Sequence, residues 1–112
     1  IELFGTGKES PDYIHVRDLV RGIECILKKG KIQGEVYNLA SGIETTIADA
    51  VSIFFKTLPN APAWHFNGKV REGDPLNWRA DITRIAQLGF APAHDLNSGL
   101  SEVTGWIRSL QH

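Results

Sequence analysis

Three groups of residues in this sequence have types that could carry chemistry. The first is Gly5-Thr6-Gly7-Lys8, whose glycines and lysine suit a phosphate cradle. A nucleotide-binding loop of that kind needs four residues between its first Gly and the Gly-Lys pair, then Ser or Thr directly after Lys. Here Glu9 follows Lys8, and a carboxylate there would repel phosphate, so the stretch reads as a turn. A GxGxxG fingerprint is not formed either, because Ser10 stands where the third glycine would be. The second group is the histidines. His15, His65, His94 and His112 are far apart, without paired helical spacing or a cysteine cluster, which argues against a metal site. His15 lies in an apolar stretch and reads as a hydrogen-bonded structural histidine. No Ser–His–Asp or Cys–His set can be picked out. The third group is Val70-Arg71-Glu72-Gly73-Asp74. It offers a planar cation for phosphate and a carboxylate for sugar hydroxyls. On spacing alone a solvated charged loop is the plainer alternative.

Composition narrows the classes. The 112 residues allow one domain at most, and 42% apolar with 22% charged residues suits a folded chain, unlike a disordered one. A net charge of −1 and the lack of a basic patch argue against a nucleic-acid partner. No apolar run approaches the roughly 20 residues that cross a bilayer, so no membrane partner is expected. Cys25 is the only cysteine, which excludes an internal disulfide and fits a reducing, cytoplasmic setting. Between Ile23 and Ile26 it reads as a buried, inert thiol. The start, Ile1-Glu2-Leu3-Phe4-Gly5, has no basic segment and no cleavage site, hence is no signal peptide. With no Met anywhere, the expectation is a piece of something longer.

These residues must be positioned by short elements. Ile1 to Phe4 and Tyr13 to Val16 are expected to pair as an antiparallel hairpin around the Gly5–Pro11 turn. Asp18 then caps a helix whose apolar face is Leu19, Val20, Ile23, Ile26 and Leu27. Lys28 and Lys29 suit its negative end, and Gly30 a left-handed close. Glu35 to Leu39 alternates like a strand, which suggests a βαβ-like unit with a loop at Ala40–Ile43, where α/β folds hold ligands. Thr45 or Thr46 caps a helix to about Leu58 with Ile47, Val51, Phe54, Phe55 and Leu58 on one face. A strand is expected within Ala63–Phe66, a turn at Asn67-Gly68 and a polar irregular stretch over Val70–Trp78. Asp81 caps a short helix closed by Gly89. A final helix carries Leu96, Leu100, Val103, Ile107 and Leu110, with Asp95 or Asn97 near its start.

Taken together, YIHVRDLVRGI, GEVYNLASG with TIADAV, REGD, ADITRIAQLGFAP and a Gly-Leu before a Trp-containing helix resemble one family in register. It is the extended short-chain dehydrogenase/reductases, in the nucleotide-sugar epimerase/dehydratase branch that includes UDP-glucose 4-epimerases. The resemblance covers almost the whole chain, from the expected hairpin to Trp106. It implies an α/β fold: the carboxyl-terminal substrate-binding portion of an extended Rossmann-type reductase, with mixed short strands and about four helices. It also implies an amino-terminal NAD-binding domain and a catalytic Tyr-x-x-x-Lys pair, neither of which is in these residues. Tyr13 is followed four residues on by Arg17, and Tyr37 by Ser41. The chain alone is therefore expected to be non-catalytic and to hold no cofactor, with NAD or NADP belonging to the full-length parent.

The same resemblance implies site residues. Arg71 matches an arginine on the substrate diphosphate, Asp74 a carboxylate near the nucleotide ribose, and Trp78 an aromatic lining the site. Members usually carry Arg directly before Asp-Tyr-Ile-His-Val, whereas Pro11 stands there, and Lys8 could substitute from the turn. Arg79 replaces a residue commonly apolar or aromatic. The partners implied are a nucleotide-sugar substrate and the amino-terminal domain, with a homodimer or domain swap through surface made for it. Two alternatives stay open: a stand-alone non-catalytic binding or dimerisation module, and a related reductase acting on a non-sugar carbonyl.

Overall fold

Each of the longer elements begins at a side chain that satisfies free backbone N–H groups, and this sets where the chain can turn. The computed structural model describes residues 1–111, so His112 lies outside the described residues. In chain order the elements are β1 (Glu2–Leu3), α1 (Val16–Lys29), α2 (Ile47–Lys56), β2 (His65–Phe66), α3 (Thr83–Ala86) and α4 (Leu96–Ser109). Thr46 caps α2 by accepting from Asp49 N–H, and Asp95 caps α4 by accepting from Ser98 N–H. Asp81 accepts from Thr83 N–H at the start of α3. These three helices lie where apolar periodicity put them, and Gly89, at φ +92°, closes the third.

The amino-terminal hairpin does not form. β1 pairs in parallel with β2, Glu2 opposite His65 and Leu3 opposite Phe66, across more than sixty residues of chain. Tyr13 to Val16 is not a strand: helix α1 already starts at Val16. Its cap is His15, whose Nδ1 accepts from Arg17 N–H at 3.0 Å, and not Asp18, which sits inside the first turn. Gly30 is not left-handed. It is extended at φ −74°, and glycine is needed because a Cβ there would lie 2.6 Å from the Ile26 carbonyl oxygen. Glu35 to Leu39 is also no strand, so the βαβ unit is not seen. Among the described residues no backbone hydrogen bond joins that segment to another, and alternation alone cannot make a strand without a ladder partner. Side chains hold it instead: Arg84 donates to the Val36 carbonyl and Asn38 to the Asp81 carbonyl.

The core is thin. Ala50, Ile85 and Phe90 are the buried apolar side chains among the described residues. α2 packs on α4, where Thr57 Oγ1 and Thr104 Oγ1 meet at 2.6 Å. Phe54, Phe55, Trp64 and Phe66 form a chain of ring contacts at 5.5 to 5.9 Å that ties α2 to β2. α1 lies on α3, with Cys25 Sγ donating to the Leu88 carbonyl, and its Gly22 is packed against Leu39. Its other flank, Val16, Val20, Ile23 and Leu27, is exposed.

Candidate functional site

The Gly5–Pro11 turn runs past the beginning of α2. Its carbonyls take the N–H groups there: Ala48 N–H donates to Gly7, Ile47 N–H to Glu9 and Thr45 N–H to Pro11. The helix start is thereby satisfied by backbone, and its amides are not turned to a ligand. Glu9 folds back onto its own turn, accepting from Thr6 N–H and Thr6 Oγ1. These hydrogen bonds, led by the Thr6 N–H, hold its carboxyl below the usual range.

Ser10 then staples the turn to the polar loop. It is buried, its N–H donates to the Leu76 carbonyl at 2.9 Å, and its carbonyl accepts from Trp78 N–H at 2.7 Å. The Ser10 hydroxyl meets Asn77 Oδ1 at 2.8 Å and the Glu44 carboxylate. On the other side, Asn67 joins β1 to the start of the same loop. Its Oδ1 accepts from Gly5 N–H at 3.2 Å and from Lys69 N–H at 2.9 Å.

Between these two seams lies an open groove of about 290 Å³, lined among others by Phe4, Pro11, Lys69, Arg71, Asp74 and Trp78. Three of the expected site residues, Arg71, Asp74 and Trp78, share it. Lys8 does not line it: its N–H is turned to Thr6 Oγ1, within the Thr6–Glu9 knot, and its side chain is exposed. The Arg71 guanidinium lies 5.1 Å from the centre of the Phe4 ring, a cation–π contact that orients it. Trp78 and Leu76 offer exposed apolar surface beside these charges, 61% exposed each. Among the described residues neither Arg71 nor Lys69 has an ion-pair partner, so both charges are available to an anion. Sequence reasoning missed Phe4 and Lys69. The signal for Lys69 was present, two cations two residues apart, the spacing that shares one face of an extended segment.

A larger cavity, about 470 Å³, lies between residues 13–17 and α4. Its cation, Arg17, is already paired with Glu102 at 2.7 Å, and Val16, Leu96, Val103 and Trp106 make it mainly apolar. It lacks the unpaired charge of the groove. On its wall His15 stacks on His94 with centroids 4.2 Å apart, and His15 Nε2 meets Glu102 at 3.1 Å, a hydrogen-bonded structural role as expected for that residue. Among the described residues no three His, Cys, Asp or Glu are grouped to hold a metal, and no helix is long and apolar enough to cross a membrane.

Residues 1–40 match the model of the NAD dependent epimerase/dehydratase family. Over 98% of its length the chain is 31% identical to an uncharacterized UDP-glucose epimerase of Bacillus subtilis, of which it spans 35%. Over 95% of its length it is 34% identical to a dTDP-glucose 4,6-dehydratase of Streptomyces griseus, spanning 32% of that protein. Among solved structures, a UDP-glucuronic acid 4-epimerase of Bacillus cereus in complex with UDP-glucuronic acid and NAD superposes with a TM-score of 0.84 at 29% identity, covering 97% of this chain and 35% of the other. The chain thus spans about a third of the length of the proteins it matches, the carboxyl-terminal third of Rossmann-type folds.

Proposed function

Because this chain belongs to the NAD dependent epimerase/dehydratase family, we propose that its residues form the nucleotide-sugar-binding portion of an NAD(P)-dependent epimerase or dehydratase. The observation that carries this is the groove in which Arg71, without an ion-pair partner among the described residues, converges with Asp74 and Trp78. A guanidinium oriented by Phe4 can bridge two phosphoryl oxygens of a diphosphate, Asp74 can accept from ribose hydroxyls, and the Trp78 face can cover a base or sugar ring. The relatives named for UDP- and dTDP-glucose point to that substrate class for the protein that carries this chain.

The dinucleotide does not fit these residues. The turn at Gly5 lacks the fingerprint and opens no helix, and the N–H groups at the start of α2 beside it are taken by Gly7 and Glu9. NAD or NADP and the acid–base pair are accordingly assigned to a domain outside these residues, and the chain by itself to substrate holding without catalysis. NADH turnover by these residues alone would contradict that assignment. The exposed stripe of α1 is read as the surface that meets this domain, and the lone Cys25 goes with a cytoplasmic location. The same stripe favours one other reading, a non-catalytic module that dimerises through it.

The test is Arg71→Ala in the whole protein. UDP- or dTDP-sugar binding weakens by about 1.5 to 3 kcal/mol, the worth of a charged hydrogen-bonded pair. Unchanged affinity in calorimetric titration would take Arg71 out of the site.

A further inference from the structure

We propose that Lys69 supplies the second cation for the diphosphate of the ligand, in place of the arginine that Pro11 replaces and instead of Lys8. This rests on reading the groove as the nucleotide-sugar site. Pro11 lines the groove, so no cation reaches it from that position. Lys69 lines the same groove as Arg71, whereas Lys8 does not. The Lys69 backbone is fixed: its N–H donates to Asn67 Oδ1 at 2.9 Å, and Asn67 is itself held by β1, donating its N–H to the Leu3 carbonyl and accepting from Gly5 N–H. The stem of this lysine therefore starts from a pinned turn, at Gly68 with φ +75°, which lowers the ordering cost when its ammonium closes on phosphate.

Charge bookkeeping in the groove favours the same residue. Two carboxylates line it, Glu9 and Asp74, but Glu9 is occupied by Thr6 N–H and Thr6 Oγ1. Neither Lys69 nor Arg71 is paired within 4 Å among the described residues, so the ammonium and the guanidinium are both open to an anion, while Glu9, still ionised, has an oxygen turned into its own turn. Two cations with no ion-pair partner among the described residues suit a dianionic diphosphate better than a neutral carbonyl compound. The division of labour is chemical: Arg71 is planar and oriented over Phe4, made for two-point contact, while Lys69 is a point charge on a flexible stem.

The experiment compares UDP and dTDP with uridine and thymidine on the whole protein, using Arg71→Ala, Lys69→Gln, Lys69→Arg and Lys8→Gln. Lys69→Gln weakens the diphosphates about 5- to 20-fold, a charged contact discounted for exposure, and leaves nucleoside binding unchanged. Lys69→Arg restores most of the affinity, and Lys8→Gln binds like the unaltered protein. If Arg71→Ala loses affinity while Lys69→Gln does not, Lys69 is overturned and the site stands. If the unaltered protein binds neither diphosphate, or Arg71→Ala binds as well as it does, the site reading falls and this inference with it.

Discussion

Asp18 shows how much one side chain can hold. Its side chain is 1% exposed, and its two oxygens accept from Ala93 N–H, His94 N–H, the His94 ring and Arg21 Nη1, at 2.7 to 3.1 Å. Burial by itself pushes its pKa up. The hydrogen bonds from the His94 ring and from the His94 and Ala93 N–H groups, with the charge of His94, outweigh it and hold the carboxyl at about 2. A folded pKa below the unfolded value of roughly 3.9 means stability that is fully present above it and is lost as pH falls from about 4 towards 2. The amount is about 2.5 kcal/mol. Asp18→Asn should flatten that acid limb of the unfolding curve, and it should cost about 2 to 4 kcal/mol near neutrality by setting a donor against two amides. An Asn variant with the acid limb intact would assign it to other carboxylates. In the sequence Asp18 looked like a helix cap, because the residues that need it, Ala93 and His94, are some 75 positions away. By contrast Arg71, Asp74 and Trp78 were named through the family resemblance, since on spacing alone their stretch reads as a solvated charged loop, and the fold brings the three to one groove.

At the scale of elements, α2 and α4 were legible because each carries its own capping side chain and a face at helical spacing, whereas α3 was placed correctly but begins at Ile82 without a side-chain cap instead of at Asp81. What was not legible were the pairings: a strand is defined by its neighbour, and β1 found β2 instead of the nearby Tyr13 segment. Gly7 makes the point sharply. It sits at φ +80°, and an added Cβ would stand 2.6 Å from Cε2 of the Phe66 ring in β2, while its carbonyl serves Ala48 N–H. Gly7→Ala therefore meets both a disfavoured backbone and a ring joined to its neighbours through Trp64, and should destabilise by about 1 to 3 kcal/mol. A urea midpoint unchanged from the parent would show that the ring steps aside without cost. α1 departs from its pattern in a different way. Its apolar residues divide between two flanks, Leu19 and Ile26 partly covered, Val16, Val20, Ile23 and Leu27 open, so a single amphipathic stripe described only half of it.

The whole molecule is a slab. Its extents are 49 × 40 × 17 Å and its radius of gyration 16.8 Å, against about 13 Å for a compact domain of this length. Its accessible surface of 8017 Å² exceeds by roughly 1,900 Å² that of a compact folded protein of this mass. One partner in a standard interface gives up about 800 Å², so the excess is enough for a domain contact. The open stripe of α1 lies on that surface. The isolated chain should therefore associate with itself, shown as a sedimentation coefficient that rises with concentration, and Val20→Glu with Ile23→Glu should abolish the rise. A concentration-independent monomer would mean that the stripe tolerates water.

The β1–β2 seam has one more consequence. Phe4 and Lys69 face the same groove only because Leu3 and Gly5 accept from Asn67 and Gly68 across more than sixty residues of chain. Closing so long a loop costs entropy, and the pair of two-residue strands shares that cost with the packing of α2 and the aromatic cluster around β2. The groove is thus a non-local product of the fold: neither wall carries it alone, and it is complete only when contacts more than sixty residues apart have closed.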